Sequence, residues 1–401
     1  MAATHWDPVK PAAVRVSALD GLRALAITAV ILCHTLPNLT PGGQIGVDVF
    51  FALSGYLITS LLLREYDQLG TINLRNFYAR RALRLVPAMV PFLVGAALLS
   101  LHWHNKYVWT DVAAAATSTS DFPYATTPHG AWLTGQTWSL SVEAQFYLMW
   151  APLLVGLLAW LPRRVLPSVV GALIVILVVL TARLHAVGVQ LTTLYYLPTT
   201  RLPELLVGAL AAVLVRAGLR APVRIVAASV PVAALCLGAF IGWLHHEMWD
   251  DPWCYRGEFA VIALLTTVLI LHAELRPRSA LTRLMAFAPF TLIGRRSYAA
   301  YLWHIPALFI AYNCGVSDRF GVLGITVGIT AVAATISWYA VEQPFLKRKQ
   351  RFERVHLHDW THVIRDPSSS FTPIVTAVGR SPLVAPLASS TDVIENERLI
   401  A

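Results

Sequence analysis

Charged residues are scarce in this sequence. Only 13% of its 401 residues are Asp, Glu, Lys or Arg, whereas 56% are hydrophobic. A soluble globular protein of this length needs more polar surface than these residues provide. The composition therefore excludes a soluble domain and predicts an integral membrane protein.

Cysteine is also scarce, with four residues and no C-x-x-C pair. This number is too small for a disulfide scaffold or a Cys-rich metal site, so we expect neither a metal nor a permanently bound cofactor. Cys33 and Cys236 fall in apolar runs and are interpreted as small core residues. Cys254 and Cys314 fall on the same predicted outer side, so a disulfide between them is an open alternative.

The sequence has no visible internal repeat and no evident signal peptide. Without a repeat, a transporter built from inverted repeats gains no support. The first eighteen residues are mixed and polar, and the apolar run that follows has the length of a full helix. We therefore expect the first predicted span to remain in the mature protein.

Long apolar runs are abundant, and each can cross roughly 30 Å of hydrocarbon as a helix. The predicted fold is accordingly all-α, a polytopic membrane protein with about ten transmembrane helices. The ten predicted spans are 21–37, 45–63, 83–102, 138–161, 165–184, 200–218, 225–244, 258–273, 298–313 and 321–341.

Lys and Arg residues are distributed unevenly between the two sides of these spans. With the N-terminus placed in the cytoplasm, 26 of them lie on inner stretches and five on outer stretches. The positive-inside rule then predicts a multi-pass protein of the cell membrane with both termini cytoplasmic. The net charge of +9 is explained by this topology and by contact with anionic membrane lipid. It implies no nucleic acid partner.

The predicted spans divide the chain into three parts: a cytoplasmic N-terminal segment at 1–18, a membrane domain at 19–344 and a tail at 345–401. The tail opens with a basic run and continues in Ser, Thr and Pro, so we expect it to be cytoplasmic and largely disordered. The longest outer loop, 103–137, is interpreted either as a cover for an outer cavity or as a plain connector.

Arg23 and His34 lie eleven positions apart on the first span. This spacing places them on one face of a helix, about 16 Å apart along its axis. Ionisable groups inside a membrane are costly and are usually kept for function. The alternatives are that Arg23 anchors the helix in the cytoplasm and that His34 hydrogen-bonds a neighbouring helix. Asp20, in Ser17-Ala-Leu-Asp20, also fits a capping box.

Two acidic residues enter predicted spans. Asp48 lies at the outer mouth of the second span and needs a partner or water. Glu143 enters the fourth span and shares a helix face with Tyr147 because of its i, i+4 spacing. Such a buried acid pairs with a cation, holds a proton or faces a water-filled site. On the same span as Asp48, the pair Ser54-Gly55 is typical of close helix packing.

Three arginines, Arg80, Arg81 and Arg84, lie at the predicted cytoplasmic mouth of the third span. Arg81 and Arg84 are about one helical turn apart and face the same way. Their guanidinium groups suit a phosphorylated ligand, because the planar fork pairs with two phosphate oxygens. Contact with lipid headgroups is the alternative.

Polar residues near the C-terminal end of the membrane domain form a stripe. Ser297, Tyr301 and His304 lie within roughly 60° of one another on a helix. Glu342 closes the last span near Lys347.

Together these segments resemble the acyltransferase-3 family of membrane acyltransferases, both in their residues and in their order along the chain. The resemblance covers about residues 17–347. The matching motifs are Leu19-Asp-Gly-Leu-Arg-Ala-Leu25, the spacing from Arg23 to His34, Gly46-Val-Asp-Val-Phe-Phe-Ala-Leu-Ser-Gly-Tyr56, Phe77-Tyr-Ala-Arg-Arg81, Trp138-Ser-Leu-Ser-Val-Glu-Ala-Gln-Phe-Tyr147, Ser297-Tyr-Ala-Ala-Tyr-Leu-Trp-His304 and Glu342-Gln-Pro344.

The resemblance implies transfer of an acyl group, usually acetyl, from acyl-CoA to a hydroxyl group. The acceptor is a glycan, a glycolipid or a small secondary metabolite such as a macrolide antibiotic. By this resemblance Arg23 and His34 are the catalytic pair, and Arg81 and Arg84 are linked to the acyl donor. The sequence departs from the family at Pro203, where an acid is expected.

In the mechanism we predict, Arg81 and Arg84, with Arg80 and Arg23, hold the donor phosphates at the cytoplasmic mouth, and the thioester lies near His34. His34 then acts as a general base or accepts the acyl group itself. An acidic residue orients the His34 imidazole. Glu143 is preferred to Asp48 in this role because Glu143 is predicted to lie deeper in the membrane.

The main alternative is a secondary transporter in which His34, Asp48 and Glu143 relay protons.

Overall fold

The fold is all-helical, as the apolar runs predict. The computed structural model describes residues 9–126, 133–217, 223–243 and 252–349, and no β-strand occurs in these ranges. The sixteen α-helices are α1 (Val9–Thr35), α2 (Ile45–Leu69), α3 (Leu74–His102), α4 (Val108–Ala116), α5 (Asp121–Thr126), α6 (Thr137–Trp160), α7 (Leu166–Ala186), α8 (Leu191–Tyr196), α9 (Pro198–Arg216), α10 (Val223–Trp243), α11 (Glu258–Leu275), α12 (Ala280–Met285), α13 (Ala288–Arg295), α14 (Ser297–Asn313), α15 (Arg319–Ile336) and α16 (Gln343–Lys349). A 3₁₀ turn occupies Cys254–Arg256, and a π-helical segment occupies Ser337–Glu342.

Eight segments of the described chain are long and apolar enough to cross a membrane. They are Ser17–Thr35, Ile45–Leu69, Leu74–His102, Thr137–Trp160, Leu166–Ala186, Leu191–Arg216, Glu258–Leu275 and Arg319–Arg348. The other two predicted spans are also helical but shorter: Ile225–Ile241 within α10, and α14 with 17 residues. The polytopic all-α fold is therefore confirmed.

Glycines allow the central helices to approach each other closely. Gly55 of α2 faces the backbone of Leu205 on α9, and Gly208 of α9 faces the backbone of Ala52 on α2. A Cβ atom at either glycine would overlap the backbone of the opposite helix. The predicted packing role of Gly55 is thus confirmed, and α2 and α9 form a tight pair that places the polar residues of α2.

The segment 103–137, predicted as an outer loop, contains two short helices, α4 and α5, and both pack against α6. The backbone N–H of Ser120 donates to Ser141 Oγ at 3.1 Å, and the Ser120 and Thr137 hydroxyls are 2.8 Å apart. Gln145 Nε2 donates to Asp121 Oδ1 at 2.9 Å. The described part of the loop is thus helical and fixed to α6, and its roles as a cover or as a connector both stay predictions.

Two alternatives from the sequence are not realised. Helix α1 begins at Val9, so Asp20 lies inside the helix and does not cap its start. No disulfide joins Cys254 and Cys314 in the described residues, and Cys254 Sγ lies 3.5 Å from Glu258 Oε2. The predicted tail boundary at 345 falls inside α16, which continues to Lys349. The tail from 350 onward and most of the N-terminal segment lie outside the residues whose side chains the structure describes.

Candidate functional site

A cavity of about 620 Å³ lies between five helices, α1, α2, α3, α6 and α14. Each of these helices carries one of the predicted motifs. The charged side chains of the lining are Arg23, Arg81, Arg84 and Glu143. The hydroxyl groups of the lining belong to Ser54, Ser139, Tyr147, Ser297, Tyr298 and Tyr301. Motifs that are far apart in the sequence therefore meet at one polar cavity inside the bundle.

Arg81 and Arg84 bring unneutralised positive charge into this cavity. Within the described ranges, no carboxylate lies within 4 Å of either guanidinium group. The Arg81 guanidinium lies over the Tyr147 ring, 5.1 Å from its centroid. An aromatic face stabilises a cation only modestly, so both side chains remain able to bind an anion.

Arg23 lines the same cavity and is partly neutralised. Its Nη1 lies 2.9 Å from Asp20 Oδ1, and the other carboxylate oxygen of Asp20 lies 3.5 Å from Arg295 Nε. The carboxylate of Asp20 thereby connects α1 to α13. Arg23 is held in a fixed position at the cavity wall, with further N–H groups able to donate.

Arg80 does not line this cavity. Its Nη2 lies 2.8 Å from Glu65 Oε2, and Glu65 Oε1 accepts a hydrogen bond from the backbone N–H of Asn73. These contacts join α2 to the start of α3. The structure therefore brings Arg81 and Arg84 together but gives Arg80 a different neighbour, so a donor-binding role for Arg80 stays a prediction without a supporting contact.

Glu143 is the acid of the cavity lining. Its Oε1 accepts from Ser54 Oγ at 2.6 Å, and its Oε2 accepts from the Tyr147 hydroxyl at 3.1 Å. Both carboxylate oxygens are thus occupied by neutral donors from α2 and α6. The predicted contact between Glu143 and His34 is not among the described hydrogen bonds.

His34 lies in the last turn of α1, beyond the cavity. Its Nδ1 donates to the carbonyl of Val30 at 2.8 Å, and because a carbonyl only accepts, Nε2 keeps its lone pair. The side chain is exposed, since α1 ends one residue later at Thr35. The imidazole is therefore at the end of the helix, not deep along it as the predicted span 21–37 implied.

A second histidine, His304 of α14, contacts His34. The two ring centroids are 5.3 Å apart and the rings meet edge to face. Three residues earlier on α14, Tyr301 lines the cavity, and its hydroxyl lies 2.7 Å from Ser139 Oγ. The histidine pair thus lies one turn beyond the cavity along α14. The sequence showed His304 in a polar stripe but did not indicate its partner.

Asp48 belongs to a separate buried cluster. Its Oδ1 accepts from Arg201 Nη2 at 2.7 Å, and Glu204 Oε1 lies 3.3 Å from Arg201 Nε. At most 1% of each of these three side chains is exposed. Four aromatic rings surround the guanidinium, with centroids 3.8 to 5.6 Å away: Phe259, Tyr195, Trp138 and Phe51.

Arg201 is one of the five Lys and Arg residues on the predicted outer stretches, and Glu204 follows it by three positions. The available signal was that Asp48 in one span required a cation, and that Arg201 was the basic residue at the start of another. Asp48, Glu143 and His34 are not hydrogen-bonded to one another in the described residues. The structure thus offers no direct contact for the predicted proton relay.

A larger groove of about 1830 Å³ lies between α3 and α6. It shares Arg81, Glu143, Tyr147 and Tyr298 with the cavity. Elsewhere its walls are mainly apolar, and the loop from Ala115 to Thr119 lines one end. The cavity is therefore adjacent to a mainly apolar groove.

Comparison with known proteins gives a consistent result. The model of the acyltransferase-3 family, described as an acyltransferase domain, matches residues 16–342. The peptidoglycan O-acetyltransferase OatA of Listeria monocytogenes is 31% identical over 352 residues, which are 83% of this chain and 56% of that protein. A protein of Staphylococcus aureus (strain COL), provisionally named an O-acetyltransferase, is 30% identical over 353 residues, 82% of this chain and 57% of that protein.

A protein of Bacillus subtilis, provisionally named a peptidoglycan O-acetyltransferase, is 30% identical over 370 residues, 87% of this chain and 57% of that protein. This chain thus spans little more than half the length of the relatives it matches. No solved structure matches it. The family model and these relatives confirm the resemblance that the motifs indicated.

Proposed function

Because this chain belongs to the acyltransferase-3 family, we propose that it transfers an acetyl group from acetyl-CoA to a hydroxyl of a glycan at the membrane. The observation that carries this proposal is the pair of unneutralised arginines, Arg81 and Arg84, in a cavity inside the helix bundle. A cation that lines a cavity of a membrane bundle without a carboxylate beside it is costly, and an anionic ligand lowers that cost. The phosphates of coenzyme A are such a ligand.

Helix α1 connects the proposed phosphate site to the proposed reaction site. Arg23 lines the cavity, and His34 follows about 16 Å further along the same helix. With its phosphates at Arg81 and Arg84, an extended donor molecule would direct its thioester along α1 towards His34. This arrangement assigns phosphate binding to α3 and chemistry to the end of α1.

In the proposed step, His34 Nε2 takes the proton from the acceptor hydroxyl. The hydroxyl oxygen attacks the thioester carbonyl carbon, the C–S bond breaks, and the leaving thiolate takes the proton from His34. Alternatively, His34 Nε2 attacks the thioester carbonyl carbon, and the C–S bond breaks to leave the acetyl group on His34 and a free thiolate. The acceptor hydroxyl then attacks this acetyl group, the N–C bond to His34 breaks, and the hydroxyl proton passes to the thiolate. Both routes need the lone pair that the hydrogen bond to Val30 leaves on Nε2.

The two routes predict different results when no acceptor is present. If His34 carries the acetyl group, incubation with acetyl-CoA alone should leave an acetyl mass gain on the peptide that contains His34. If His34 is a general base, that peptide should remain unmodified while transfer to an acceptor proceeds.

A glycan acceptor is proposed because Listeria monocytogenes OatA is named a peptidoglycan O-acetyltransferase. A glycolipid or a secondary metabolite such as a macrolide is the alternative. Mass spectrometry of cell-surface glycans and secreted metabolites, with and without the gene, distinguishes these acceptors, because each acetylation adds one acetyl mass to the true acceptor.

Purified full-length protein in lipid nanodiscs tests the transfer itself. With acetyl-CoA as donor and chitotetraose as the acceptor probe, release of free thiol and acetylation of the sugar should require His34. We expect His34→Ala to lower transfer by at least about a hundredfold, since general base catalysis contributes that much or more. Coenzyme A binding should persist, and normal transfer by this variant would contradict the mechanism.

The rival function is proton-coupled transport. It would be supported by proton flux in proteoliposomes that requires Glu143 and His34, together with no coenzyme A binding at the cavity. Those two results together would contradict the acyltransferase proposal.

We also propose that both termini are cytoplasmic, on the basis of the 26-to-5 distribution of Lys and Arg. A cysteine introduced at position 370 should react with an impermeant maleimide only after the membrane is opened. Labelling from the outside of intact cells would contradict this orientation.

A further inference from the structure

The side chain of His304 has a ring nitrogen, Nε2, to which the proposed acyl transfer gives no role. The side chain is 1% exposed, and its Nδ1 lies 2.6 Å from the carbonyl of Tyr301. Because that carbonyl only accepts, Nδ1 carries the hydrogen and Nε2 carries a lone pair. This Nε2 is buried and has no hydrogen-bond partner among the described residues.

A buried acceptor without a partner costs folding free energy and calls for an explanation. The neighbouring ring is that of His34, 5.3 Å away between centroids and inclined by 70°. Nδ1 of His304 faces its own helix, so Nε2 lies on the edge of the ring that extends away from α14. Helix α1, which carries His34, packs against α14.

The neutral His304 ring is a fixed dipole. Its positive end, the Nδ1 hydrogen, is held by Tyr301, and its negative end, the Nε2 lone pair, is left without a proton donor. A fixed dipole of this orientation stabilises positive charge that develops beside it, and no reorganisation is needed during the reaction. In both proposed routes, positive charge develops on the imidazole of His34.

We propose, on the basis of the acyl transfer proposed above, that His304 is a positioning residue whose Nε2 lone pair stabilises the positively charged His34 formed during transfer. The sequence led us to expect an acid in this role. Glu143 is instead bound to Ser54 and Tyr147, and Asp48 is paired with Arg201. A neutral imidazole performs the function without bringing another ion into the membrane.

The test measures the reactivity of His34 directly, so it does not depend on the natural donor or acceptor. Diethyl pyrocarbonate acylates the lone pair of an accessible imidazole and generates positive charge on the ring as the bond forms. The reaction is followed at His34 by peptide mass spectrometry in the full-length protein in nanodiscs. His102, which is exposed at the end of α3, serves as the internal reference.

Three variants separate the role of Nε2 from the shape of the ring. His304→Phe keeps a ring but removes both nitrogens. His304→Asn keeps polar atoms near the position of Nδ1, whereas His304→Gln places an acceptor near the position of Nε2. Comparing the Asn and Gln variants keeps the test decisive if the Phe variant fails to fold.

We expect His34 labelling to fall about tenfold or more in His304→Phe and His304→Asn, because a hydrogen bond or dipole directed at a charged group is worth at least that factor. His304→Gln should stay within about threefold of the natural protein, and His102 labelling should not change. In the transfer assay the same variants should lower kcat by a similar factor, with little change in the KM for acetyl-CoA.

The two proposals can fail separately. Equal His34 labelling in all four proteins, within about twofold, would overturn the role of His304. If the labelling follows the expected order but the natural protein transfers no acetyl group from acetyl-CoA, the stabilisation of positively charged His34 by His304 stands and the proposed function falls.

Discussion

Two groups of arginine inside this helix bundle are treated in opposite ways. Arg201 is closed off among Asp48, Glu204 and four aromatic rings, and at most 1% of its side chain is exposed. Arg81 and Arg84 line a cavity of about 620 Å³, and no described carboxylate lies within ion-pair distance of either. The protein neutralises the first cation with its own side chains and leaves the second group for another molecule.

The difference shows how a membrane bundle separates structural charge from ligand-binding charge. A guanidinium that is fully paired inside the protein helps to fix how helices pack, because breaking the pair leaves an uncompensated ion. A guanidinium without a carboxylate raises the positive potential of its cavity and attracts an anion. Helix α2 contributes to both, with Asp48 in the closed cluster and Ser54 at the cavity.

The largest effect is expected from removing the cation of the buried cluster formed by Arg201, Asp48 and Glu204. Arg201→Met would leave Asp48 and Glu204 buried without a cation, which should lower the free energy of unfolding by about 3–5 kcal/mol. Thermal unfolding of the detergent-purified protein, or its yield in the membrane, measures this loss. Arg256→Met is a matched control, since Arg256 is exposed beside Trp253.

A rescue variant sharpens this prediction. Combining Arg201→Met with Asp48→Asn and Glu204→Gln removes the uncompensated charges, so a large part of the stability should return. If the single variant is as stable as the natural protein, Arg201 does not have the structural role that its contacts indicate.

Substitution of the cavity arginines, Arg81 and Arg84, should change ligand binding and not stability. Arg81→Ala or Arg84→Ala should weaken coenzyme A binding by about ten- to a hundredfold, since each charge-assisted phosphate contact is worth roughly 1.5–3 kcal/mol. Isothermal titration calorimetry in nanodiscs measures the change. Arg75→Ala is the matched control, because Arg75 is an exposed residue of the same helix and does not line the cavity.

Unchanged affinity in both Arg81→Ala and Arg84→Ala would place the donor elsewhere. Arg81→Lys adds a finer test, because an ammonium keeps the charge but loses the planar fork. A clear loss of affinity in this variant would indicate bidentate contact with phosphate.

The sequence allowed much of this arrangement to be predicted. The length of an apolar run and the cost of placing a charge in it are properties of a single helix and can be read from one segment. The positions of Arg23, Arg81, Arg84 and Glu143 marked where polar chemistry enters the spans, and all four line one cavity. Each was found from a cost that any membrane helix imposes on a charged side chain.

The partners of these charges were not predictable in the same way. Whether Asp48 meets Arg201 or His34 depends on which helices touch and on their rotation, and the glycine contacts of α2 with α9 decide this. The position of His34 in the helix depended on where α1 ends. Helix ends and contacts between distant segments are set by tertiary packing, which a spacing pattern within one segment does not contain.

A smaller effect is expected from the acid of the cavity. Glu143→Gln removes the carboxylate that offsets Arg81 and Arg84, so coenzyme A should bind more tightly, by less than about tenfold. The sequence-based mechanism, in which Glu143 orients His34, instead predicts lower turnover at constant affinity. Measuring Kd for coenzyme A and kcat for transfer in this one variant decides between the two roles.

The smallest effect is expected at Asp121, a buried acid outside the membrane spans that no cation neutralises among the described residues. Burial raises the pKa of Asp121 to about 6, although a hydrogen bond from Gln145 opposes the shift. Because the folded protein holds this proton more tightly than the unfolded chain, the stability it contributes is complete below pH 4 and declines as the pH rises to about 6. Asp121→Asn stays neutral at every pH and keeps an acceptor for Gln145. Its melting temperature should therefore match that of the natural protein near pH 3.5 and exceed it by about 1–2 °C at pH 7.5. A difference of the same size at both pH values would mean that the ionisation of Asp121 does not affect folding, and that α5 tolerates an unpaired charge.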